Sequence, residues 1–334
     1  KNFELLTDSK AQPKSITLER NQYYRRAPDA ESSIKKYVTP YKICVHYVTA
    51  EEAYEKYKNG EYAFTSDIPL AERKKLIDEV TMLDNMFTYS YLFNTNSEFL
   101  SDAKARKALS IAIDRKAIQD IVVFAEAADS LISELVYNTK KGTSFHTSVI
   151  STSGNLEEAK KLMKTACEEL VADGLYTEGD PIHIRIGWAK GALTSADNQQ
   201  VTLMQKYINA AAEGSGFGPI TLEGVGNIPS RYDAVPAGEY AIGYGAWGGA
   251  AFYPFRNFQV YCDPDQYSIN EAGCWDPTTE TLTLTVEGEE VTKTWQEWSG
   301  CMVGSGDMAN KSFETKLQIL ATMEEEYMRF VYRI

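Results

Sequence analysis

The residues able to do chemistry are few and scattered. Three histidines (His46, His146, His183) lie far apart, and His46 and His183 fall inside stretches patterned as strands, which suits structural or surface imidazoles. The five cysteines, Cys44, Cys167, Cys262, Cys274 and Cys301, form no CxxC pair and no Cys/His ligand spacing, so no zinc centre is expected. No GxxxxGK(S/T), HExxH or GxSxG occurs, which removes the best-characterised phosphate, metalloprotease and serine-hydrolase signatures. Carboxylate runs such as Glu157-Glu158 and Glu324-Glu325-Glu326 lie on helical patterns and read as solvated faces. One fingerprint does match: Gly243-Tyr244-Gly245-Ala246-Trp247-Gly248 satisfies GxGxxG after a strand. A dinucleotide site needs that turn to open a helix whose N-terminus holds the pyrophosphate. Here Pro254 falls inside the first two would-be turns and Trp247 would crowd the phosphates. No cofactor and no enzymatic activity are expected.

A sizeable body must position whatever these residues do. At 334 residues the chain has room for two domains or one large α/β domain. Its net charge of −13, with Lys and Arg scattered among carboxylates, argues against nucleic acid, and its sharpest basic pair, Arg25-Arg26, reads as a solvated turn. No apolar run approaches the roughly 18 residues needed to span a bilayer. The opening KNFELLTDSK lacks an apolar signal core, so an export signal is expected to have been removed or to lie outside this sequence. In the loop-rich stretch 262–301, a Cys262–Cys274 or Cys274–Cys301 bridge is compatible with a non-cytosolic setting.

The elements alternate. SITLERNQYY and KICVHYV have the period of half-buried strands, and AEEAYEKYKNG reads as a helix stopped by Asn59-Gly60, with a strand expected over Glu61–Ser66. A linking helix follows in LAERKKLIDEV, then a strand-like run in TMLDNMFTYSYLFNTN. SDAKARKALSIAIDRKAIQDIVV is expected to be one helix capped by Ser101. NLEEAKKLMKTACEELVADG reads as a helix from an Asn155 cap to a Gly174 stop, PIHIRIGW and ITLEGVG as strands around a helix at 196–212, and SRYDAV as a short helical piece. TLTLTVEGEEVTKTW is a hairpin turning at Glu287-Gly288, KSFETKLQILATMEEEYM an amphipathic helix and RFVYRI a last strand. The tetrapeptide GEYA occurs at 60–63 and at 238–241, each time where a helix is expected to end and a strand to begin.

In that order the segments resemble the family 5 extracytoplasmic solute-binding proteins, the oligopeptide- and dipeptide-binding subunits of ABC importers. ITLERNQYY looks like the family's strand with Asn-x-x-Tyr, YKNGEYAFTSDIP like its y-x-x-G-x-x-D strand, and EYAIGYGAW like its strand ending in Gly-Trp. The most telling match is YLFNTNSEFLSDAKARKALSIAIDR, an Asn-bearing strand followed by a helix with R-x-A-L and A-I-D-R. The resemblance implies a bilobal α/β fold of the periplasmic-binding-protein type (class II), present here as part of the first lobe plus the second. It assigns 1–85 to lobe one and 86–325 to lobe two, the latter with a hairpin at 281–295. Thr88–Asn94 becomes one crossover and 326–334 the returning strand. The family's secretion signal, usually with a lipid-modified cysteine, and roughly the first third of its fold have no counterpart here, so the sequence is expected to be a fragment.

As implied function, the protein captures a peptide-like ligand outside the cytoplasm and delivers it to an ABC permease, with membrane association only through an N-terminal lipid anchor. A surface sensor, or a binder of another solute such as an oligosaccharide, remains the alternative. In open α/β sheets ligands lie beyond the carboxyl ends of strands. The ligand-binding residues expected on this basis are Asp67, Tyr91, Asn94, Tyr244, Trp247, Gly248, Ala250, Phe252 and Tyr253. Peptide-binding members often place an Asp three residues after the motif tryptophan to pair with the ligand's ammonium group. Here that position is Ala250, leaving Asp263 or Asp265 as substitutes.

Overall fold

The computed structural model describes residues 15–21, 39–66, 68–139, 142–189, 191–228, 234–235, 237–248, 253–264 and 276–331. The chain divides into two compact units, Lys1–Glu79 and Val80–Ile334.

In the first unit, β1 (Ser15–Glu19) pairs antiparallel with β2 (Lys42–His46), placing Ile16 opposite Val45 and Leu18 opposite Ile43. Helix α1 (Ala50–Lys58) starts where the Thr49 side chain accepts the Glu52 N–H, with acidic residues in its first turn and lysines in its last, the arrangement its dipole favours. It ends at Gly60, in the left-handed region at φ 77°, where Gly60 N–H returns to Tyr57 O and Glu61 N–H to Lys56 O. This is a Schellman stop. The expected strand over Glu61–Ser66 does not form. The amides of Glu61 and Tyr62 are both spent on the Lys56 carbonyl, so the segment cannot give them to a ladder, and Tyr62 stacks on His46 instead, ring centroids 5.1 Å apart.

The second unit is built on a four-stranded mixed sheet in the order β3-β6-β4-β5: β3 (Thr88–Phe93), β4 (Ile182–Trp188), β5 (Ile220–Val225) and β6 (Ile242–Trp247). β4 runs parallel to both β5 and β6, and β3 closes one edge antiparallel to β6. The sheet core is apolar, with Ile184, Ile186 and Trp188 packed with Leu109, Met163 and Met204 from the helices. Those helices are α2 (Ala103–Ala112), α3 (Arg115–Val122), α4 (Leu156–Ala172) and α5 (Ser195–Ala212). The single helix expected from Ser101 is two. Asp102, not Ser101, caps α2 by accepting Ala105 N–H, and Asp114 caps α3 by accepting Lys116 N–H after Ile113 turns extended. An aspartate side chain that satisfies backbone donors restarts a helix where the apolar period alone would carry it through.

A second core in this unit joins β7 (Thr281–Val286), β8 (Glu289–Thr294), α6 (Trp295–Cys301) and α7 (Phe313–Val331) with the loop residues Leu131 to Tyr137. The hairpin turns at Glu287 (φ 53°) and Gly288 (φ 95°), a pair of positive angles matching the twist of its strands. The last strand expected over RFVYRI is replaced by helix as far as Val331, because the apolar period of α7 runs on without a stop; residues 332–334 lie outside the described ones. Cys262 and Cys301 are buried free thiols, so neither of the two bridges that the sequence allows forms, and Cys274 lies outside the described residues.

Candidate ligand-binding site

The carboxyl ends of β4 and β6 carry aromatic side chains, and antiparallel β3 brings its own to meet them. Register sets Tyr91 opposite Tyr244 and Thr88 opposite Trp247. Tyr244 is the hub. Its ring lies 5.0 Å from Tyr91, 5.2 Å from Trp188 and 6.1 Å from Tyr89, the last nearly parallel at 24°. The series grades from a fully buried Trp188 to Tyr89 at 58% exposure, so an aromatic wall begins in the core and ends in solvent. Burial pushes the Tyr91 and Tyr244 hydroxyls well above their ordinary range, and the Asp197 charge adds to both. They are therefore neutral donors and acceptors. Tyr91 donates to Gln200 Oε1 at 3.1 Å, and Gln200 and Asp197 are both buried on α5. Asp197 is held by a capping box in which its Oδ2 accepts Thr194 N–H and Oγ1–H.

Trp247 points to the other core and fixes the next piece of chain. Its indole Nε1–H donates to Asn257 O at 3.0 Å, while Asn257 Nδ2 donates to Pro254 O at 2.8 Å. That short turn carries Tyr253, 38% exposed, edge-on to Phe255 at 5.4 Å, with Phe255 in turn 5.2 Å from Phe313 on α7. Gly248 is buried under Phe87; a Cβ there would stand 2.9 Å from two ring carbons. Asn94 is buried, with Nδ2 donating to Val235 O at 2.6 Å, Oδ1 accepting Asn96 N–H and its own N–H donating to Ala241 O. It locks the end of β3. Asp67, Ala250 and Phe252 lie outside the described residues, as do Asp265, Arg25, Arg26 and most of SRYDAV.

The GxGxxG match is strand interior: Gly243 and Gly245 sit within β6. His46 and His183 lie in strands as expected, and no group of three metal-ligating side chains occurs among the described residues. No described helix is long and apolar enough to cross a membrane.

Among the described residues, four buried charged ones escaped the sequence reading: Arg106, Asp197, Lys316 and Glu324. Glu324, read as part of a solvated face, is buried: Oε1 accepts Leu131 N–H and Ile132 N–H and Oε2 accepts the Tyr137 hydroxyl. Lys316 is buried as well. Both lie in phase with Leu320 and Tyr327 on the inward stripe of α7, which was the available signal.

The chain matches the model of bacterial extracellular solute-binding proteins, family 5 Middle, over residues 6–268, and belongs to that family. Among solved structures it is similar to an oligopeptide ABC transporter substrate-binding domain from Bacillus anthracis (14% identity, TM-score 0.62, 96% of this chain and 55% of that one). It is also similar to Haemophilus influenzae OppA in complex with RPPGFSPFR (17% identity, TM-score 0.61, 96% and 55%). A third is Staphylococcus aureus NikA in complex with Ni(L-His)2 (15% identity, TM-score 0.55, 96% and 59%). At these identities the likeness fixes the fold, that of periplasmic binding proteins, and the chain spans just over half the length of these structures. No curated protein matches.

Proposed function

We propose that this solute-binding protein takes up a peptide-like solute outside the cytoplasm and passes it to an ABC permease, with the aromatic wall at the carboxyl ends of β4 and β6 forming part of the site. The observation that carries the reading is the aromatic series Tyr89–Tyr244–Trp188, flanked by Tyr91. Neutral, amphipathic rings offer area and a hydroxyl at small entropic cost, which suits ligands held without strict side-chain selection. The peptide ligand of the Haemophilus influenzae relative is consistent with it. Tyr91, Tyr244, Trp247 and Tyr253 are proposed to face the solute or hold the groups that do. Asn94 and Gly248 are proposed to act as supports, and Asp67, Ala250 and Phe252 remain proposed on the resemblance alone. Residues 1–85 and 86–325 are proposed as the two lobe portions.

Native mass spectrometry of the full-length protein, followed by thermal shifts with di- to hexapeptides, tests the reading. A co-purified peptide, or a shift abolished by Tyr244→Ala, supports it. A uniformly empty protein with no shift across the series sinks it, and a shift with oligosaccharides alone replaces the ligand class.

A further inference from the structure

The Lys316 side chain is a buried cation with no counter-ion among the described residues. It is 8% exposed, and its ammonium donates to Ala309 O at 3.2 Å. No carboxylate stands within ion-pair distance of it among the described residues. The ammonium instead lies over the rings of Phe255, 4.4 Å from the centroid, and Tyr253, at 5.9 Å. An ammonium has three N–H donors. One carbonyl and two ring faces offset part of the cost of its desolvation, and among the described residues they leave two donors without an acceptor and the charge without a carboxylate. Beside it stand two aromatic residues that do reach solvent, Tyr253 at 38% and Phe313 at 46% exposure, each edge-on to Phe255. A structural lysine of this kind would gain from a carboxylate neighbour, and α7 has one to give in Glu324. That carboxylate lies about two turns further along and is filled by three other donors.

We propose that Lys316 is an anion-receiving group of the ligand site: it takes a carboxylate of the solute, with the adjoining apolar part of the solute lying on Tyr253 and Phe313. This rests on the solute-binding reading above and narrows it to carboxylate-bearing ligands, for a peptide its free C-terminus with an apolar last residue. The charge-assisted hydrogen bond would replace the two missing partners of the ammonium.

The test compares wild type, Lys316→Met, which keeps the length and removes the charge, and Lys316→Arg, which keeps the charge. Each is titrated by calorimetry with peptides ending in Phe, as free acids and as C-terminal amides, and with 3-phenylpropionate as a minimal probe. Expected are a loss of at least tenfold in affinity from acid to amide for wild type, a similar loss for Lys316→Met with acids, and partial rescue by Lys316→Arg. Acids and amides binding wild type equally, or Lys316→Met binding acids as wild type does, would overturn the proposal and leave the peptide reading standing. Charge-dependent binding of 3-phenylpropionate with no peptide bound would keep the subsite and remove the peptide. Binding of neither probe to folded wild type overturns both.

Discussion

Tyr137 donates its phenolic hydrogen to Glu324 Oε2 at 2.5 Å, joining a loop to a helix across 187 positions of sequence. The other carboxylate oxygen takes two consecutive amides of that loop, so one buried side chain pins the segment 131–137 onto α7. Burial raises the Glu324 carboxyl above its ordinary range, opposed by those three hydrogen bonds and by His146. A carboxyl whose folded pKa is raised contributes stability below its unfolded value that is lost as pH rises through the folded one. Urea midpoints are therefore expected to fall from about pH 4.5 upward through the raised value, and Glu324→Gln is expected to flatten that slope. Glu324→Ala, which leaves three donors without their acceptor, is expected to cost about 2–4 kcal/mol at any pH in this window. An unchanged slope in Glu324→Gln would refute the assignment.

The glycines of the two GEYA copies share one geometry. Gly238 has φ 81°, its N–H returns to Val235 O and that of Glu239 to Ala234 O, as Gly60 and Glu61 do at the end of α1. Gly174 at the end of α4 repeats it with φ 72°. Alanine at Gly60, Gly174 or Gly238 is expected to destabilise by about 1 kcal/mol, through the left-handed backbone rather than through crowding, since a Cβ at each meets nothing within 4 Å. Chemical denaturation of the three single variants checks this.

Tyr91 and Tyr244 are expected to separate in their effects. Tyr91→Phe removes the hydroxyl that serves buried Gln200 and is expected to lower stability by about 1–2 kcal/mol with ligand affinity changed less than threefold. Tyr244→Ala removes the hub of the stack and is expected to weaken binding at least tenfold. Calorimetry beside denaturation curves distinguishes the two, and equal losses of affinity would contradict the division.

Thiol chemistry reports the cores. Burial pushes Cys301 up to about 12 and Cys262 well above its usual range, whereas Cys44 is exposed. Iodoacetamide at pH 8, on a Cys274→Ser background, is expected to label Cys44 in the folded protein and to reach Cys167, Cys262 and Cys301 only after urea. Peptide mapping that finds Cys262 modified in the native state would mean the second core opens.

Where a single local device decides the structure, the sequence was legible. The Asn155 cap and Gly174 stop bound α4, Glu287-Gly288 turns the hairpin, and strong apolar periods place β4 and β5. Where two local rules compete, the outcome depended on contacts far along the chain. The apolar stripe over 103–122 hid the Asp114 cap, and the β-branched and aromatic end of α7 looked like a strand, although the turn before it is anchored as helix by Tyr327 packing on Phe258 and Trp295. The candidate site was legible as a set of aromatic positions on β3 and β6. The buried charges of α7 were not, because Glu324 and Lys316 take their partners from residues 131–137 and 253–255, and no local spacing encodes those.

The last helix has the charge order of α1, Glu314 in its first turn and Arg329 in its last, but it also carries the buried Lys316 about a turn from its positive end. At that end the field of the helix and the Lys316 ammonium have the same sign, and Glu314 in the first turn opposes both. An anion received at Lys316 would favour that end of the helix, so occupancy would be written into the backbone as slower amide exchange over the first turns of α7.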